Sequence, residues 1–339
     1  MGSDALLGEM VKVLEVLAMS NVRTVALTLA AMLLGSAPSY AQVDLGGNWV
    51  SLQHEDWEER GPGPEVVDYL GLPLNAEGRA RSLRYSTSAL SLPERQCLYY
   101  PPHYLVLGPQ GLRFWADFDP TNGQVVAWNI SAAIDRAVIK IWMDGRPHPS
   151  ENALHTFAGF TTGVWEGNTL TARMTHFKEG YLRRNGVPSS DKATFTMHIS
   201  RHGNTLTVTG IIEDPVYLTR SHIVNRTWKL DPTANINPVT NPCVPEAELA
   251  ELKGEGTVPH YLPGENPFVN EMTRMYNIPL EAVMGGAETM YPEYRKKLKD
   301  AYVAPTVCTR YCCGWGGAAG ATAPGLQCIT GGTGLINER

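Results

Sequence analysis

Residues 192–212 read KATFTMHISRHGNTLTVTGII. Lys192–Ser200 and Thr205–Ile212 are strand-length runs, and Arg201-His202-Gly203-Asn204 between them is a tight-turn signal, so the stretch reads as a β-hairpin. Within it, Thr205-Leu206-Thr207-Val208-Thr209 alternates polar and apolar residues, the mark of a strand with one buried face. The five residues Gly-Asn-Thr-Leu-Thr at 203–207 occur again at 167–171, where Glu166-Gly167-Asn168 separates Gly159–Trp165 from Thr169–Thr175. One hairpin design is used twice.

The same grammar extends outward in both directions. Leu112–Phe118 and Gln124–Ile130 flank Asp119-Pro120-Thr121-Asn122-Gly123, whose early proline and final glycine are hairpin chemistry. Ala137–Met143 reads as a further strand, and Thr219–Leu230 closes the series. No helix of ten residues interrupts 112–230, which argues against a parallel βαβ sheet. The expected fold is mainly β: an antiparallel up-and-down barrel, or a sandwich. Trp115, Trp128, Trp142, Trp165 and Trp228 fall on five different strands, and an interior that takes so many indoles can equally be a ligand cavity. Residues 42–110 read as an irregular N-terminal wrap with one strand at Gly47–Leu52. From Pro242 onward the pattern turns helical, in a capped turn at Pro245–Leu252 and short helices at Pro267–Tyr276, Pro279–Met284 and Pro292–Tyr302, each helix opened by proline. These helices are expected to cover one end of the sheet.

Composition narrows the function classes. The 339 residues are 43% apolar, only 18% charged, and carry a formal net charge of −6. Eight Trp and fourteen Tyr exclude general disorder, and the absence of a basic block argues against nucleic-acid binding. Arg23, the apolar run Val25–Leu34 and the small residues up to Ala41 describe a secretory signal peptide, with cleavage expected before Gln42. The run is too short to span a membrane, and Met1–Ala18 reads as an upstream extension. Three segments result: 1–41 for export, 42–304 as one β-rich domain (strand core about 112–230, helical cover 242–304), and 305–339 as a flexible tail. The expected location is periplasmic or secreted, an oxidising compartment.

Cys97 and Cys243 bracket the strand series and form the natural disulfide of such a protein. Cys308, Cys312, Cys313 and Cys328 lie in the Gly-rich tail. Their spacing lacks the second matched pair that zinc sites use, so no metal is expected.

The densest polar loop is Asp144-Gly145-Arg146-Pro147-His148-Pro149-Ser150-Glu151-Asn152, followed by His155. A carboxylate, a guanidinium and an imidazole so close together can bind an anion or move a proton. The same residues also read as a tight turn held by an Arg146–Asp144 pair. His176, His202 and His222 lie at strand ends, and Glu213-Asp214-Pro215 ends a strand; on one rim these would form an acid–base cluster. Gly159-Phe160-Thr161-Thr162-Gly163 has the glycine spacing of a nucleophile elbow, but it sits inside a hairpin and lacks serine.

Asp144-Gly145-Arg146-Pro147-His148-Pro149, followed by Trp165-Glu166-Gly167-Asn168-Thr169-Leu170 and Glu213-Asp214-Pro215, resembles a group of uncharacterised exported bacterial proteins. These pair a D-G-R-x-H-P segment with a W-E-G-[DN]-T-L hairpin. The resemblance spans about Leu45 to Pro305 and implies a shared fold without an activity. The hairpin is also similar to strands of calycin-type barrels such as fatty-acid-binding proteins, which implies a small apolar ligand by fold analogy.

Two functional expectations follow. In the first, the barrel binds a small hydrophobic or aromatic molecule, with Trp142, Trp165, Trp228 and Tyr217 lining the cavity and Arg146 and His155 at its polar end. In the second, the same cavity is an enzyme site for hydrolysis, elimination or isomerisation, with Asp144, His148, His176 and Asp214 as acid and base. No cofactor, stable membrane insertion or nucleic-acid partner is expected in either.

Overall fold

The computed structural model describes residues 43–52, 66–69, 71–86, 96–108, 110–132, 138–183, 185–236, 244–245, 261–270, 273, 278–299, 307–308 and 327–328. The chain divides into two units, 1–43 and 44–339, and all of the described strands and helices lie in the second. The segment expected to be a signal peptide, the Pro245–Leu252 turn beyond its first residue, and Cys243 lie outside the described residues.

Among the described residues between 47 and 230, eleven strands are formed: β1 Gly47–Ser51, β2 Leu112–Phe118, β3 Val125–Ala132, β4 Ile139–Trp142, β5 Phe160–Glu166, β6 Thr169–Thr175, β7 Gly180–Tyr181, β8 Pro188–Ser189, β9 Thr194–His202, β10 Thr205–Glu213 and β11 His222–Leu230. Nine of them close into a barrel in the order β1-β11-β10-β9-β6-β5-β4-β3-β2, while β7 and β8 pair separately. The fold is therefore a closed barrel and not a sandwich. Of the pairs around the ring, β4–β5 is parallel (Ile141 opposite Thr161, Trp142 opposite Thr162) and the rest are antiparallel. An odd ring cannot alternate up and down throughout, so one parallel neighbour is forced. This corrects the strict up-and-down expectation, and it explains the long connection 143–159, because parallel neighbours need a crossover of about a dozen residues or more.

The twin hairpins form as the sequence reads. Gly167 and Gly203 each open a two-residue loop with φ of +61° and +58°, the backbone that a type II′ hairpin requires of its first loop residue. Their strands alternate as expected, with Phe195, Met197 and Ile199 of β9 facing Leu206, Val208 and Ile212 of β10 inside the barrel. Trp49 and Trp228, both fully buried, fill the interior beside Phe114 and Phe195. Each indole is anchored: Trp49 Nε1 donates to the Leu45 carbonyl (3.0 Å) and Trp228 Nε1 to the Gln110 carbonyl (3.1 Å). Burying such a side chain contributes about 1.5–3 kcal/mol.

Two helices lie in what the sequence reads as irregular wrap. α1, Ala76–Ser82, begins at Asn75, whose side chain accepts from the Gly78 N–H (2.9 Å). α2, Pro102–Leu107, has proline at its first turn and is buried from Pro102 through Val106. It packs on β3, β10 and β11 and closes one end of the barrel. Gln110 ties this plug to the core, its side-chain amide donating to Leu105 and Tyr104 carbonyls while its own carbonyl receives Trp228. Beyond the barrel come α3, Leu280–Val283, a 3-10 turn at Ala287–Met290 and α4, Pro292–Lys299. Two-residue strands β12, Val307–Cys308, and β13, Gln327–Cys328, pair in parallel. Cys243, the expected disulfide partner of Cys97, lies outside the described residues. Among the described residues no helix is long and apolar enough to cross a membrane.

Candidate functional site

The residues singled out from sequence separate into two places. The first is the outer wall of β5 and β6, over which the 143–159 crossover runs. Asp144 and Arg146 pair with each other, Arg146 Nε donating to both carboxylate oxygens (2.9 and 3.0 Å). The Arg146 guanidinium stacks 3.6 Å above the Trp142 ring. Trp142 pairs in register with Ala127 and Thr162, on the wall opposite to the inward Ile141. It therefore lies outside the barrel, and so does Arg146. The expectation that Trp142 lines an interior cavity with Arg146 at its polar end fails for a simple reason: side chains alternate along β4, the buried Ile139 and Ile141 take the inward positions, and Arg146 stacks on the outward Trp142.

His148, His155 and His176 do come together on this wall. His148 bonds through Nδ1 to Thr175 Oγ1 (2.8 Å) and through Nε2 to Thr162 Oγ1 (2.9 Å). Thr175 Oγ1 also meets His176 Nδ1 (2.7 Å), and His176 Nε2 reaches the Ser150 carbonyl (2.9 Å). A carbonyl only accepts, so neutral His176 carries its proton on Nε2 and Thr175 donates to its Nδ1. The Thr175 oxygen then accepts from His148 Nδ1–H, and Thr162 donates to His148 Nε2. His155 completes the set, bonding the Phe177 carbonyl (3.0 Å) with its ring 5.2 Å from that of His176. Burial, then the Arg173 charge, hold His148 below the ordinary histidine range. Both nitrogens of His148 are occupied and no described hydrogen bond joins it to Asp144. What this chain of bonds does is fasten the crossover to the barrel.

The second place is the plugged end of the barrel. Register puts the ends of β6 and β10 and the start of β11 there, so His176, Asp214 and His222 share a rim, while His202 belongs to the opposite end. They do not share a site. Asp214 is saturated by donors: Ser190 N and Oγ (each 2.7 Å), Val216 N (2.9 Å) and Tyr217 N (3.2 Å). That makes it the organiser of the β10–β11 and β8–β9 connections. Tyr217 is buried, and its carbonyl accepts from Asn75 N (2.9 Å) at the start of α1.

His222 faces elsewhere, into a cleft of about 40 Å³ between α2 and β11. His103, Tyr104 and Gly108 line it from the plug, Leu182 and Arg183 from the β7–β8 loop, and Ile212, Val224 and Arg226 from the wall. His103 is only 1% exposed, and neither ring nitrogen makes a hydrogen bond of normal geometry. Burial pushes it down to about 4, against the opposing pull of the Asp214 carboxylate and the Tyr181 backbone. Burial likewise pushes His222 down to about 3, with the charges of Arg183, His103 and Arg226 acting in the same direction. The cleft thus holds two neutral imidazoles beside two buried guanidiniums, with apolar walls.

His103, Arg183 and Arg226 escaped the sequence reading. Arg226 carried a usable signal: it stands two residues before Trp228, hence on the same face of β11, and a strand that buries one buries the other. Of the remaining expected liners, Trp228 is inside but packed, and Trp165 pairs with inward Leu170. The indole N–H groups of Trp128 and Trp165 and the Thr161 hydroxyl have no partner in the barrel interior. No group of three or more His, Cys, Asp or Glu among the described residues is placed to hold a metal ion. Comparison with family models, with curated proteins and with solved structures yields no match.

Proposed function

We propose that this protein is an exported barrel that binds a small molecule, and that the binding site is the cleft between α2 and β11. The observation that carries the reading is His103: a fully buried imidazole, neither ring nitrogen of which makes a hydrogen bond of normal geometry, lining a cleft of about 40 Å³. Buried polar groups are nearly always bonded, and an exception facing a cavity marks a place where an occupant supplies the bond. The cleft is far smaller than the roughly 300–1,000 Å³ that surround a drug-sized ligand, so it seats a small group or the head of a longer molecule. Tyr104, Leu182, Ile212 and Val224 give that occupant an apolar contact surface. The export signal ending at Ala41 and a Cys97–Cys243 bond, joining the N-terminal wrap to the end of the strand series, belong to the same proposal.

The test is a calorimetric titration of the full chain with a set of fragments of no more than about eight heavy atoms. Saturable binding that is lost in Val224→Trp, whose indole fills the cleft, supports the reading. Binding that survives that substitution, or no binding across the set, refutes it.

A further inference from the structure

We infer that Cys308 and Cys328 form a disulfide that closes part of the C-terminal tail into a covalent ring. The inference lies outside the barrel and does not depend on what the cleft binds. It draws on the export reading only for an oxidising compartment. The observation behind it is register: β12 and β13 pair in parallel, with Val307 opposite Gln327 and Cys308 directly opposite Cys328. Paired strands lie roughly 4.7–4.9 Å apart, and a disulfide joins Cα atoms separated by about 4.4–6.8 Å. Residues directly opposite each other share one face of the ladder, so the two cysteines occupy positions that a single S–S bond spans without backbone movement. The chain between them, 309–326, is rich in glycine and alanine. Glycine loses the most freedom on ordering, so such a chain opposes the closure that a ladder of two residue pairs needs. A covalent bond at the paired position takes the same freedom from the unfolded tail and so favours the closed form.

The register also chooses among pairings. Cys308, Cys312, Cys313 and Cys328 allow three ways of making two bonds. Joining Cys308 to Cys328 leaves Cys312 beside Cys313, neighbours in sequence whose Cα atoms are about 3.8 Å apart, inside the lower limit of an ordinary disulfide. Those two stay thiols. A four-thiolate metal centre is incompatible with the bond, because a metal takes thiolates and two of the four are oxidised. Formation removes two protons and two electrons from the pair. One cysteine thiolate attacks the disulfide of an oxidant, either a carrier protein or oxidised glutathione, and releases one of its sulfurs as a thiol. The second thiolate attacks the resulting mixed disulfide and releases the other, so the oxidant's S–S bond is exchanged for that of the tail.

The test is a disulfide map of the full chain, equilibrated with oxidised glutathione and then alkylated with N-ethylmaleimide in denaturant. Trypsin cuts after Arg310 and chymotrypsin after Trp315, which puts Cys308, the Cys312–Cys313 pair and Cys328 on three different peptides. The expected product is a Cys308 peptide linked to a Cys328 peptide, two hydrogens lighter than their sum, with Cys312 and Cys313 alkylated. The link is expected to persist when Cys312→Ser and Cys313→Ser are combined, and Cys308→Ser is expected to leave Cys328 open to alkylation or to a glutathione adduct. Cys308 joined to Cys312 or Cys313, or recovered from the unaltered protein as a free thiol or a glutathione adduct, overturns the assignment. Zinc retained by the purified chain and lost on Cys308→Ser overturns it as well.

Discussion

His103 combines three properties that together make its removal informative: 1% exposure, two ring nitrogens without a hydrogen bond of normal geometry, and a proton affinity driven down to about 4 by burial. Leaving a buried polar group unbonded costs the fold about 1–3 kcal/mol. His103→Leu has nearly the same volume and removes that cost, while imperfect shape returns less than about 1.5 kcal/mol. The ligand-free variant is therefore expected to be more stable than the parent by about 1 kcal/mol at pH 7. Acid enlarges the gap. A histidine whose folded pKa lies below the unfolded value of about 6.5 is protonated first in the unfolded chain, so its protein loses stability as pH falls from about 6.5 to about 4. At pH 4.5, two units below the unfolded value, the loss in the parent is about 2–3 kcal/mol, and the leucine variant escapes it. His222 titrates in both proteins and largely cancels in the comparison. The assay is urea unfolding followed by tryptophan fluorescence at pH 7 and pH 4.5. A variant less stable than its parent at pH 7, with a gap that stays constant in acid, would refute the reasoning, because His103 would then be a satisfied part of the core.

Other consequences concern the barrel and its outer wall. Trp228→Ala removes a fully buried indole together with its bond to Gln110, which holds the plug, and is expected to cost about 3–5 kcal/mol in the same unfolding experiment. Gly163→Val places a Cβ at 2.7 Å from Ile141 Cγ2 and 2.9 Å from Met143 Sδ, at the parallel β4–β5 seam, and is expected to cost about 1–3 kcal/mol or more; a neutral effect there would argue against the seam. On the wall, nitrogen-resolved NMR at neutral pH should find His148 protonated on Nδ1 and His176 on Nε2, and the opposite pair of tautomers would break the hydrogen-bond chain drawn through Thr175.

The legible part of this fold was local. Gly167-Asn168 and Gly203-Asn204 specify their hairpins within a few residues, and Thr205–Thr209 shows its buried face directly. The strand pairing that needs distance was hidden. Nothing near Trp142 announces that β4 runs parallel to β5, because the 143–159 crossover is broken by Gly145, Pro147 and Pro149 and forms no helix. The plug was hidden for a related reason: Pro101-Pro102 reads as irregular chain, yet it opens a short helix whose stability comes from burial against β10 and β11. The site followed the plug into obscurity. His103, Arg183 and Arg226 are far apart in sequence and meet only when α2 closes the barrel end, whereas Asp144, Arg146 and His148 are neighbours in sequence and are absorbed by a turn and a crossover. Proximity along the chain favoured the residues that hold a loop, and the residues of the proposed site were brought together by topology.

The central claim is that the occupant sits at the plugged end and not on the outer wall. Its most direct test follows the histidine ring nitrogens by NMR while a fragment that binds in the calorimetric titration is added to the full chain. The account predicts saturable shifts of His103 and His222 with His148, His155 and His176 unmoved; shifts confined to the outer-wall histidines would contradict it.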